Sequence, residues 1–307
     1  MRIAFLGTPD FAVPSLDMLY QSGHELAVFT QPDRPVGRHG TLTPPAVKVY
    51  AENHGIPVYQ FEKIRMPEGV EALRTFHPDL MVTAAFGQLL SQENLDIPKY
   101  GCINVHGSLL PKYRGSAPIQ RAVINGEKET GITTMQTALG MDTGDILLQT
   151  VVPIEPDETS GELYDRLSHV GAETLKKTLY LLENGSLTKT PQNESEATSV
   201  KMLKKEDGKI DFANTAEQIH NLIRGVNPWP GSYALLGDET LKIWKTRLLH
   251  CMSDEIPGKL TGNAKDGLFL HCKNGVLEIL ELQFPGSKRM DAKTLLRGKS
   301  LDGCILS

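Results

Sequence analysis

Seven short apolar segments recur through the first half of this 307-residue chain, and they constrain its fold more than any other feature: "RIAFLG" (2–7), "ELAVFTQ" (25–31), "PVYQ" (57–60), "LMVTAAFG" (80–87), "GCINVH" (101–106), "ITTMQTA" (132–138) and "ILLQTVVPI" (146–154). Most are continuously apolar, and amphipathic, helix-like stretches lie between several of them. Continuous apolar strands suit a sheet buried on both faces, which is how parallel sheets built from strand–helix–strand crossovers are packed. The expected fold is therefore α/β, a doubly wound and mostly parallel sheet.

Leu163, Leu167, Val170, Leu175, Leu179 and Leu182 then recur at helical spacing, which predicts a long helix over 160–184 closed by Gly185. "KTPQNESEATSV" (189–200) is polar and aperiodic and reads as a linker. "TAEQIHNLIRGV" (215–226) is a helix with one apolar face. After it, "TLKIWKTRLL", "GKLTG", "GLFLHC" and "VLEILELQF" are short strands with turn signals, as in a small β-barrel or sandwich. The chain is long enough for two cores, so the expected division is a first domain over 1–188, a linker over 189–205 and a second domain over 206–307.

Composition narrows the function classes. No apolar run approaches the roughly 18–20 residues that span a bilayer, and "MRIAFLGTPDF" reads as strand and turn rather than a cleavable signal. The four cysteines are scattered, without a C-x-x-C pair, so neither a disulfide framework nor a zinc site is expected and a reducing, cytoplasmic setting is. His77, His106, His169 and His220 show no metal-ligand spacing, so no metal is expected. The formal net charge is -5, but residues 201–307 hold 16 Lys and Arg against 13 Asp and Glu, and the remainder 16 against 24. A mildly basic C-terminal third permits a polyanionic partner without demanding one. No long exposed apolar stripe stands out, so a monomer is the default.

Candidate chemistry collects at strand ends. The first strand–helix turn, "GTPDFAVP", has Gly7 but lacks the other glycines of a dinucleotide fingerprint, and reads as a tight turn. "INVH" ends a strand, where ligands sit in open parallel sheets. Asn104 and His106, two apart on an extended chain, share one face; a packed histidine is the competing reading. In "GMDTGDIL" (140–147) Asp142 lies between glycines. It can be a plain turn former, or a carboxylate brought beside His106 to orient the ring and favour its charged form. An Asn, a His and an Asp suit acyl transfer to a neutral amine, with two donors for the developing oxyanion and one proton acceptor. Ser108 and Cys102 have no obvious activating base, so covalent catalysis is a weak alternative. "QPDRPVGRHG" (31–40) reads as a solvated Pro- and Gly-rich loop, or as one whose Arg34 and Arg38 hold phosphates.

These motifs together carry a resemblance. "INVHGSLLPKYRGSAPIQ", followed by "GITTMQTALGMDTGDIL", is similar to the folate-dependent formyltransferase core shared by glycinamide ribonucleotide and methionyl-tRNA formyltransferases. "QPDRPVGR", the helix after it ("PPAVKVYAENHGIPV") and "NPWPGSY" (227–233) extend the likeness to the methionyl-tRNA branch over nearly the whole chain. The resemblance implies transfer of formyl from 10-formyltetrahydrofolate, a co-substrate, to methionyl initiator tRNA for translation initiation. It implies Asn104, His106 and Asp142 as the catalytic trio. Ser108, Leu109, Leu110 and Pro111 would line the folate site, and Phe86, Gly87, Gln88 and Leu89 the pterin pocket. Arg38, with Arg34, would engage the tRNA. The core would be Rossmann-like and the C-terminal domain a barrel resembling an OB fold, contacting tRNA. Two departures stand out: His39-Gly40-Thr41 where lysines are usual, and Thr137-Ala138 where a larger apolar and an acidic residue are usual. Rival readings keep the chemistry and change the acceptor, to an amino sugar nucleotide or a ribonucleotide amine, or hydrolyse formyltetrahydrofolate instead.

Overall fold

The computed structural model of this chain describes residues 1–37 and 40–307. Two compact units emerge: Met1–Gly115 with Thr130–Val152 and Tyr164–Ser199, and Ser116–Glu129 with Pro153–Leu163 and Val200–Ser307.

In the first unit all seven expected strands form one sheet: β1 (Arg2–Gly7), β2 (Glu25–Thr30), β3 (Val58–Gln60), β4 (Leu80–Ala84), β5 (Cys102–His106), β6 (Glu129–Gln136) and β7 (Ile146–Pro153), in the order β7-β6-β5-β4-β1-β2-β3. Pairings from β3 through β5 are parallel, and β6 runs antiparallel to β5. Both faces are covered, as continuous apolar strands require. Ala4, Leu6, Ala27, Phe29, Met81 and Cys102 share one core with Leu73 and Phe76 of the helix Pro67–Phe76. Ile3, Phe5 and Val28 point the other way and are equally buried.

Local chemistry sets the element ends. Strand β4 stops at Ala84, short of the expected 87, because Ala85 (φ 45°) and Gly87 (φ 76°) turn left-handed. The helix Ser160–Glu183 ends at Gly185 (φ 68°), whose N–H donates to the Leu182 carbonyl while that of Ser186 donates to Leu181. "QPDRPVGRHG" differs from the expected loop. Arg34–Val36 pairs antiparallel with Thr41–Thr43, Arg34 opposite Thr43, because Gly and Pro punctuate two short extended runs.

The second unit carries an antiparallel sheet of β8 (Ser232–Leu236), β9 (Glu239–Leu249), β10 (Leu260–Asn263), β11 (Gly267–Cys272) and β12 (Gly275–Gln283), ordered β8-β9-β12-β11-β10, with Met290–Asp291 against β12. The C-terminal tail bridges both edges, Leu306 opposite Leu236 and Ile305 opposite Lys259, which makes the domain barrel-like. The helix Ala216–Gly225, capped by Thr215, inserts Ile219 and Ile223 into its core. On another face His220 and Arg224 donate to carbonyls of Glu155, Pro156 and Glu158. Among the described residues no helix is long and apolar enough to cross a membrane.

Candidate active site

The site is built at the carboxyl end of β5. Asn104 and His106 sit on one face of this strand, the face of Cys102. Asn104 lies opposite Thr83 of β4, whose hydroxyl donates to Asn104 Oδ1 at 2.8 Å. That bond orients the amide, and among the described residues no hydrogen bond engages its Nδ2 hydrogens.

His106 is 6% exposed, so both ring nitrogens need partners from the protein or a substrate. Nε2 lies 2.9 Å from the Tyr113 carbonyl, which can only accept. Nδ1 lies 3.7 Å from Asp142 Oδ2, within ion-pair reach but beyond hydrogen-bond length. Asp142 is fixed in turn by the Gly115 N–H, which donates to the same Oδ2 at 2.8 Å.

The backbone around these groups is strained. Ala85, Tyr113 and Asp142 have φ values of 45°, 60° and 53°, a region that costs a non-glycine residue about 1–3 kcal/mol. Such strain persists where surrounding contacts over-determine the chain. Gly144 supports the Asp142 loop by its lack of a side chain: a Cβ there would lie 1.6 Å from the Gln136 carbonyl oxygen.

The segment after His106 is pinned to β6 and β7. Thr133 Oγ1 donates to the Ser108 carbonyl and accepts from the Leu110 N–H, while Gln149 Nε2 donates to the Leu110 carbonyl. Ser108 and Leu110 are buried, and the Ser108 hydroxyl donates to Lys112; Leu109 and Pro111 are half-buried. In the next loop Phe86 is buried in the core and its carbonyl accepts from Thr8 and Gln31. Gln88 bridges Ile64 N–H and the Phe61 carbonyl, and Leu89 is exposed. Burial pushes the Cys102 thiol up to about 11, which disfavours the nucleophilic thiolate. Arg34, on the exposed hairpin, makes a bidentate pair with Glu62 at 3.0 and 2.5 Å. Arg38 lies outside the described residues.

Sequence reasoning missed a group of residues that the structure brings to this site. Arg114 is 7% exposed, and its guanidinium meets both Gln192 and Glu194. The hydrogen bonds it donates to the Glu194 carboxylate hold the arginine's pKa above its ordinary value. Gln192 and Glu194 come from the polar stretch read as a linker; a Gln and a Glu two apart in such a stretch were the only signal.

Comparison with known proteins matches residues 1–179 to the formyl transferase family and residues 202–300 to the formyl transferase C-terminal domain. A methionyl-tRNA formyltransferase of Ruminiclostridium cellulolyticum is 48% identical over 98% of each chain. One of Geobacter metallireducens is 50% identical over 98% of this chain and 97% of its own. Among solved structures, the sugar 3N-formyl transferase WlaRD, crystallised with dTDP and 5-N-formyl-THF, superposes with a TM-score of 0.71 at 21% identity, covering 94% of this chain and 99% of that one.

Proposed function

This chain belongs to the formyl transferase family, and from that membership we infer that it moves the formyl group of 10-formyltetrahydrofolate onto the α-amine of methionyl initiator tRNA. Relatives bearing the name methionyl-tRNA formyltransferase match it at about half identity from end to end, which favours the tRNA acceptor over a sugar or ribonucleotide amine.

The observation that carries the chemistry is the seating of His106 between the Tyr113 carbonyl and the Asp142 carboxylate, two residues from the oriented amide of Asn104. The folate supplies a formyl carbonyl attached to nitrogen. Nδ2 of Asn104 and Nδ1 of His106 are the donors left to receive the negative charge that develops on the formyl oxygen. Asp142, whose Oδ2 accepts the Gly115 N–H, takes the proton that the attacking amine must lose. This donor set fits a small carbonyl carbon and needs no covalent intermediate.

Ser108, Leu109, Leu110 and Pro111 wall the folate on one side, and Phe86, Gly87, Gln88 and Leu89 frame the pterin, chiefly with backbone groups. Arg34 and Arg38 meet phosphates of the acceptor end. Residues 1–188 hold the chemistry, 189–205 connect, and 206–307 bind tRNA through the barrel-like sheet. The enzyme acts as a monomer in the cytoplasm, a setting that its four unpaired thiols suit. The test is transfer from a labelled formyl donor to charged initiator tRNA. Transfer to a small amine but not to the tRNA would overturn the acceptor.

A further inference from the structure

The polar segment 192–198 makes hydrogen bonds to both backbone stretches that hold His106 and Asp142. Gln192 uses its entire amide. Nε2 donates to the carbonyls of Asp142 at 2.8 Å and Gly144 at 2.7 Å, and Oε1 accepts from Arg114 Nε at 3.0 Å and Nη2 at 2.8 Å. Glu194 closes on the remaining fork of the same arginine, at 2.9 and 2.7 Å. Six positions after Gln192, Thr198 takes the Tyr113 N–H on its hydroxyl at 2.8 Å and the Arg114 N–H on its carbonyl at 2.9 Å. Tyr113 offers His106 its carbonyl, and Gly115 gives Asp142 its N–H.

We propose that Gln192, Glu194 and Arg114 are positioning residues, a clamp that holds Asp142 and its loop at the working distance from His106. The proposal rests on the catalytic reading of His106 and Asp142 given above. Three physical points support it. Asp142 and Tyr113 both have left-handed backbones, so each needs outside contacts to stay in place. A guanidinium as buried as that of Arg114 is costly unless its hydrogen bonds are made, and Gln192 and Glu194 make four of them. Finally, Gln192 is satisfied only in this geometry, because its two hydrogens and its oxygen all have partners. Neither Gln192 nor Glu194 touches the reacting atoms; their effect passes through the direction of the Asp142 carboxylate.

The test is a double-substitution cycle in the full-length enzyme, with Gln192→Met and Asp142→Asn, read by kcat and by KM for both substrates. Gln192→Met keeps side-chain length but removes both donors and the acceptor. Alone it is expected to lower kcat by roughly 10²-fold, the cost of a misplaced catalytic group, with both KM values within about two-fold of the parent. In the Asp142→Asn background the same change is expected to cost little more, because the group it aims is already disabled. Glu194→Gln, which keeps one acceptor for Arg114, is expected to lose less than Gln192→Met. Additive losses in the cycle would overturn the clamp while leaving the catalytic reading standing. Near-parental turnover of Asp142→Asn alone would overturn the catalytic reading and the clamp with it. Should Gln192→Met not fold, Gln192→Asn, which keeps the amide but is one methylene short, gives the same cycle.

Discussion

His106 Nδ1 and Asp142 Oδ2 stand 3.7 Å apart, while each residue is held by a true hydrogen bond to a backbone group. For His106 that tie is the Tyr113 carbonyl at 2.9 Å, and for Asp142 it is the Gly115 N–H at 2.8 Å. Tyr113 and Gly115 flank Arg114, so one short stretch of backbone anchors both groups. In the proposed reaction these two groups meet the formyl oxygen and the attacking amine while both anchors are kept.

Removing the proposed donor tests this directly. His106→Asn is expected to lower kcat by roughly 10²–10³-fold, the usual cost of losing one oxyanion donor, with folate affinity changed by less than a few-fold. Single-turnover formylation and a folate binding titration separate the two. Turnover close to the parent would remove His106 from the proposed role.

Gly144 sets the shape of the Asp142 loop. Gly144→Ala would drive a methyl into the Gln136 carbonyl, at 1.6 Å, so loop or strand must move. Overpacking of this kind costs about 1–3 kcal/mol. Urea unfolding should show that loss, and turnover should fall further than stability alone accounts for. An unchanged midpoint and unchanged turnover would mean that the loop yields without consequence.

Acid sensitivity is expected in the second unit. Burial holds the His220 pKa below its ordinary value, with Thr246 Oγ1 at Nδ1 and the Pro156 carbonyl at Nε2. A neutral folded ring opposes an unfolded one that takes a proton near its ordinary pKa of about 6.5. The stability this site contributes is therefore complete above that pH and declines as pH falls from it toward the lowered folded value. Urea midpoints at pH 7.5 and 5.5 should show the gap between the parent and His220→Asn narrowing at the lower pH. A gap independent of pH would rule out this linkage.

Arg34 is engaged by Glu62 on an exposed surface, a pair worth at most about 1 kcal/mol. A tRNA phosphate can displace such a partner. Arg34→Ala should leave the thermal midpoint nearly unchanged, raise KM for tRNA and lower the slope of log(kcat/KM) against log(salt) by about one. Arg38→Ala is expected to act in the same direction. An unchanged slope in both variants would move the phosphate contact elsewhere.

Much of the fold was legible because it is written in local pattern. All seven expected strands of the first sheet formed, since short continuous apolar runs suit a sheet buried on both faces. The leucine spacing of 163–182 and the stop at Gly185 likewise required only neighbours along the chain. Period-two spacing at the end of β5 was enough to place Asn104 and His106 on one face.

What the sequence by itself determined was therefore periodicity, strand ends and the identity of the chemical groups. Tertiary structure alone decided which of those groups meet. The Asp142 carboxylate reaches His106 because β6 lies against β5 and its loop turns left-handed, which no local spacing encodes. Residues 189–200 carry no apolar period, so by pattern they are a linker; in the fold Gln192 and Glu194 bond a buried arginine far away in sequence. The strands at 34–36 and 41–43 are too short and polar to announce themselves, and only their mutual pairing makes them a hairpin. Hydrophobic burial leaves a periodic trace in the sequence, whereas polar contacts between distant segments leave only residue types, and it is the packed chain that gives those residues their partners.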